Sequence, residues 1–159
     1  MIESIEHPVR GPNGILQRSI LALILGLALF PATGGAETPP ALNYSKPAIR
    51  RQIVEVVEAQ LAAFRAGDFA EAYRFSAEPL RERFTLRDFA LMIARGYAPI
   101  LEHERAELGL PMDDGIRAVV SVRLWAGGEP VVYRYMLLKE DAGWRVAGVG
   151  AERPKESDA

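Results

Sequence analysis

Cysteine is absent from this sequence, which removes disulfides, thiolate metal sites, a cysteine nucleophile and a lipid-modified amino terminus together. Stability must therefore come from packing. Histidine is nearly absent too: His7 and His103 are the two in the chain, too few for a histidine metal cluster or a catalytic triad. No metal or cofactor is expected. An excess of charge is also missing, because 19 basic residues stand against 21 acidic ones. That balance gives no electrostatic footprint for a phosphate backbone, so no nucleic-acid partner is expected.

What the chain does have is apolar content. About half of its 159 residues are hydrophobic, enough for the core of one ordinary domain. The longest apolar run, Ser19 to Phe30, follows Arg10 and Arg18. It falls short of the roughly 20 residues a spanning helix needs, and it fits the hydrophobic region of a secretory signal. Pro31 breaks it, and Gly34 to Ala36 supply the small side chains a signal peptidase accepts. We expect a signal at residues 1–36, cleaved after Ala36, and an exported mature chain from Glu37. That chain would be periplasmic in a diderm host and otherwise secreted, with no membrane association after cleavage. An uncleaved amino-terminal anchor is the alternative. Removing 1–36 takes two charges of each sign and leaves the net charge at −2.

Glu37 to Pro47 is rich in proline, threonine and alanine and reads as a flexible arm. The domain itself is expected over 48–151, with a disordered tail at 152–159. From Ala48, Ile49, Ile53, Val56, Val57, Leu61 and Phe64 recur at helical spacing, and Gly67 caps the helix they predict. Asp68 precedes Glu71 by three positions and Thr85 precedes Asp88 likewise, the spacing of a capping box. These predict a short second helix to about Ser76 and a third to about Arg95, the latter with Phe84 and Phe89 placed as a hydrophobic staple.

Beyond Pro99 the apolar rhythm changes from helical to period two, which predicts strands at Leu101 to Leu108, Ile116 to Trp125, Val131 to Lys139 and Trp144 to Val149. Turns are expected at Asp113-Asp114-Gly115, Gly127-Gly128 and Asp141-Ala142-Gly143. The fold class is therefore α+β: three N-terminal helices packed on a curved antiparallel sheet of about four strands.

Those turns set a register. It places Ile116, Ala118, Val120, Val122, Leu124, Val131, Tyr133, Tyr135, Leu137, Trp144 and Val146 on the core face. Arg117, Arg123, Arg134 and Arg145 fall on the other face together with Val119, Trp125, Val132, Met136, Leu138 and Val149. A face half apolar and half arginine fits a homodimer interface, an anion-binding surface, or an amphiphilic outer face whose arginine stems cover apolar neighbours. Tyr133 and Tyr135 point inward, where each hydroxyl must find a partner or open into a cavity. With Tyr73 and Tyr97 from the helices they could line a pocket for a small apolar ligand. His103 is expected as an exposed strand residue, and Asp113 and Asp114 as turn chemistry.

The segments QLAAFRAGDFAEAYRFSA from Gln60 to Ala77, FTLRDFALMIARGY from Phe84 to Tyr97 and YRYMLLKEDAGWRVAGV from Tyr133 to Val149 resemble the bacterial family called domain of unknown function 4864. The order of elements resembles the nuclear transport factor 2-like superfamily, a cone of sheet wrapped round helices. The family implies no activity. The superfamily implies a pocket between helices and sheet, often a dimer through the outer sheet face, and it includes isomerases, dehydratases and hydrolases. We expect an exported noncatalytic domain that binds a small molecule or a protein partner, with no catalytic residue assigned. The alternatives are a small enzyme working in the cone and a structural homodimer module.

Overall fold

The computed structural model describes residues 40–152. The expected signal at 1–36 lies outside the described residues, as do 37–39 of the arm and 153–159 of the tail. The elements run β1 (Asn43–Tyr44), α1 (Pro47–Arg65), α2 (Phe69–Arg74), α3 (Glu78–Arg83), α4 (Leu86–Gly96), α5 (Ala98–Glu102), β2 (Arg105–Leu108), β3 (Met112–Asp113), β4 (Arg117–Trp125), β5 (Val131–Glu140) and β6 (Gly143–Ala151). The α+β class holds, with five helices where three were expected and six strands where about four were expected.

Helix α1 forms as its spacing dictates. Ile53, Val57, Leu61 and Phe64 are buried along one stripe, each contributing on the order of 1.5–3 kcal/mol by leaving water. Gly67, with φ +70°, turns the chain out of the helix, a backbone shape that costs glycine nothing. Both expected caps form: Asp68 accepts from the Glu71 amide at 2.9 Å and Thr85 from the Asp88 amide at 3.2 Å. The two unforeseen helices share a cause. In α3 and in α5 a proline, Pro79 or Pro99, sits in the first turn, where its missing N–H is no loss and its fixed φ suits the start of a helix.

All strand pairs are antiparallel, in the order β1-β3-β4-β5-β6 with β2 pairing on β4. Leu124 faces Val131 and Lys139 faces Trp144, the pairings expected of turns at Gly127-Gly128 and Asp141-Ala142. Ala118, Val120, Val122, Leu124, Tyr133, Tyr135, Leu137, Trp144 and Val146 are all buried against the helices. Two expected core residues differ. Val131 is half-buried, and Ile116 is 65 % exposed because β4 begins one residue later and leaves it in the turn.

A β-bulge between Met136 and Leu137 makes the larger departure: Leu137 pairs with Val146 but Met136 pairs with Gly148, leaving Ala147 as the extra residue. One inserted residue flips every side chain beyond it. Val149 therefore pairs with buried Tyr135 and packs on the core side, not on the outer face where uninterrupted alternation places it.

The ends of the domain also carry structure. Tyr44 pairs with Met112, and the Ser45 amide donates to the Pro111 carbonyl at 3.0 Å, so the segment read as an arm supplies an edge strand. At the other end the Glu152 amide donates to Val132 at 2.8 Å. The strand expected from Leu101 starts only at Arg105, because Leu101 and Glu102 finish α5. No helix among the described residues is long and apolar enough to cross a membrane.

Candidate functional site

A cleft opens where the helices meet the edge strand β6. Gln60 and Phe64 of α1, with Phe89, Met92 and Ile93 of α4, form one side. The bulged stretch Val146 to Val149 forms the other, and Ser76 sits between. The cavity volume is about 40 Å3. Ser76 is held there by the loop between α2 and α3, which adds to the β6 edge as a parallel bridge: the Val146 amide donates to Phe75 and the Ala77 amide to Val146, both at 2.8 Å.

The lining is apolar apart from three side chains, and two of these have an atom without a partner. Gln60 is 2 % exposed and its Nε2 donates to the Ala72 carbonyl at 3.1 Å, while its Oε1 is buried and unpartnered. Ser76 is fully buried and its Oγ is unpartnered as well. The third, Tyr97, donates to the Val149 carbonyl at 3.2 Å. Burial pushes its phenol above the ordinary tyrosine range, so it remains a neutral donor. No lining residue is charged at neutral pH. The site can offer shape, apolar contact and hydrogen bonds.

Of the four tyrosines expected in a pocket, Tyr97 alone lines this cleft. Tyr133 packs beside it with ring centroids 6.1 Å apart. Tyr73 spends its hydroxyl on the carbonyls of Arg81 and Phe84 and packs its ring on Phe89 at 5.2 Å. Tyr135 is fully buried in the core, with its hydroxyl unpartnered and its phenol raised by burial and, to a lesser degree, by Tyr133 and Tyr97. Gln60 was missed, although the sequence signals it: it is a polar residue in register with Ile53, Val57 and Phe64 on the apolar stripe of α1. Ser76 carried no such signal, since its loop has no periodicity.

His103 departs from expectation. It follows α5 rather than lying on a strand, it is 5 % exposed, and its Nδ1 lies 2.9 Å from the Ile100 carbonyl. A carbonyl only accepts, so Nδ1 carries the proton. Burial, with the positive charge of Arg65, holds the ring below the usual histidine range against that hydrogen bond.

A family model described as domain of unknown function (DUF4864) matches residues 46–159, which takes in the whole cleft. The chain belongs to the DUF4864 family. No curated protein matches it.

On the outer face of this DUF4864 domain three of the four arginines are matched by acids. Arg117 pairs with Asp114, Arg123 with Glu107 at 3.8 Å and Arg134 with Glu152 at 3.0 Å. Arg145 donates to the Trp144 carbonyl. Trp125 is covered by the Arg105 guanidinium, 3.6 Å from its ring centre. Positive charge is thus largely cancelled in place. Asp114 also accepts from the Ile116 and Arg117 amides, which is turn chemistry. Burial works against its charge, yet these amides and the Arg117 guanidinium hold its carboxyl below the ordinary range. Among the described residues no group of acidic or histidine side chains is arranged to hold a metal ion.

Proposed function

We propose that this protein is an exported, noncatalytic binding module that holds a small, largely apolar molecule in the cleft between its helices and β6. One observation carries the reading: an apolar cleft whose lining includes two buried polar atoms with no protein partner, Gln60 Oε1 and Ser76 Oγ. Buried polar groups are ordinarily satisfied, and a cleft with few convergent polar groups on apolar walls is the usual form of a ligand site. Binding is favoured over an enzyme working in the cleft because the walls carry amide, hydroxyl and phenol groups rather than a carboxylate or imidazole. The Ser19 to Phe30 run supports export. Helices followed by an antiparallel meander, with the helices on one sheet face, support a place in the nuclear transport factor 2-like superfamily.

Fragment screening by NMR on the folded chain tests the reading. Neutral small molecules should shift the amide signals of Gly148 and Val149, and Met92→Trp, which fills the rim of the cleft, should abolish those shifts. Shifts confined to other surfaces would defeat it.

A second reading, a homodimer through the outer sheet face, is favoured by one row across the sheet. Tyr44, Met112, Val119 and Met136 occupy successive register positions, and Tyr44 is 69 % exposed.

A further inference from the structure

The cleft prescribes the chemistry of its occupant. The Ala72 carbonyl can only accept, so the bond it receives must come from the NH2 of Gln60, and the amide cannot be turned round. The atom left over is Oε1, an acceptor with no hydrogen to give. Whatever satisfies it must be a donor. The Ser76 hydroxyl, also unpartnered, can donate or accept. A hydroxyl on the ligand is the smallest group that serves both, giving its proton to Gln60 Oε1 and accepting from Ser76.

Charge is excluded by the walls. No lining side chain is ionised, and a carboxylate or ammonium would leave water for a site with nothing of opposite sign to meet it. Size narrows the choice again. A cavity of about 40 Å3 holds roughly three water-sized groups, so the polar head and the first carbons of a chain fit inside and the rest of a slender chain leaves through the open mouth of the cleft. Resting on the cleft as a ligand site, we propose that the occupant is a neutral, short-chain or slender apolar alcohol whose hydroxyl donates to Gln60 Oε1 and accepts from Ser76 Oγ.

Three probes of nearly equal size separate the alternatives: n-pentanol, butyl methyl ether, which keeps the shape and lacks the donor, and pentanoate, which is charged. Each is titrated into the folded chain at neutral pH and followed at the Gly148 and Val149 amides. n-Pentanol should bind about three- to tenfold more tightly than the ether, the factor that one neutral hydrogen bond supplies, and pentanoate should bind more weakly than n-pentanol. Ser76→Ala should weaken n-pentanol and the ether by a similar factor, because both oxygens accept from Ser76, and so should leave the preference for the alcohol in place. Gln60→Met, close to glutamine in volume, should erase the preference for the alcohol. If the ether binds as tightly as n-pentanol, or pentanoate binds best, the alcohol assignment falls while the cleft remains a ligand site. If none of the three moves those amides, the cleft holds only water and both readings fall.

Discussion

The hydroxyl of Tyr97 donates to the Val149 carbonyl oxygen at 3.2 Å, tying the chain between α4 and α5 to β6 just past its bulge. Tyr97→Phe keeps the ring and deletes that bond. It should lower stability by about 0.5–1.5 kcal/mol, the net worth of a neutral hydrogen bond, seen as a lower urea midpoint at unchanged slope. An unchanged midpoint would mean the bond contributes nothing.

Tyr135 invites the opposite result. Its hydroxyl is fully buried without a partner, a burden of about 1–3 kcal/mol. Tyr135→Phe should therefore stabilise the domain, whereas Tyr73→Phe, which strips the donor from the Arg81 and Phe84 carbonyls, should destabilise it. Thermal unfolding of the pair side by side decides the matter, and two shifts of the same sign would contradict this account.

Acid should weaken the domain in two stages. His103 is held below its ordinary range when folded, so the unfolded chain takes up its proton first. Stability should begin to fall as pH drops through about 6.5, the unperturbed histidine value, and go on falling until the folded ring is protonated. Asp114 is also held low when folded. Its contribution is present above its unfolded value, near pH 3.9, and is lost as pH falls through its folded one. Denaturant midpoints against pH should show the first stage in the native sequence and not in His103→Gln.

The outer face offers a separate test. If the row through Val119 and Met136 is an interface, Met136→Asp should convert a dimer to a monomer in sedimentation velocity without unfolding it. Glu152→Ala removes the partner of a largely exposed arginine and should cost at most about 1 kcal/mol. A native protein that sediments as a monomer at high concentration would end the dimer reading.

Much of the sheet was legible because its turns were. Gly127-Gly128 and Asp141-Ala142 sit at the centres of two hairpins, and once a hairpin's centre is known, alternation assigns each side chain to a face. The same rule failed at Val149, since a bulge at Ala147 has no local signature. Pro99 misled for another reason: a proline that ends one helix and a proline that begins the next look alike until the fold shows which turn it occupies. His103 was misplaced by following the strand rhythm back into residues that Pro99 had started as a helix.

Apolar period, capping residues and turn residues act over a few neighbours, so the sequence alone determined the α+β class, the first helix, the N-caps of α2 and α4, and the face of most strand residues. The tertiary structure decided that Gln60, Ser76 and Val149 share one cleft. They come from a helix, a loop and a bulged strand far apart in the chain, and which of their polar atoms go unpaired depends on packing that no short stretch of sequence contains.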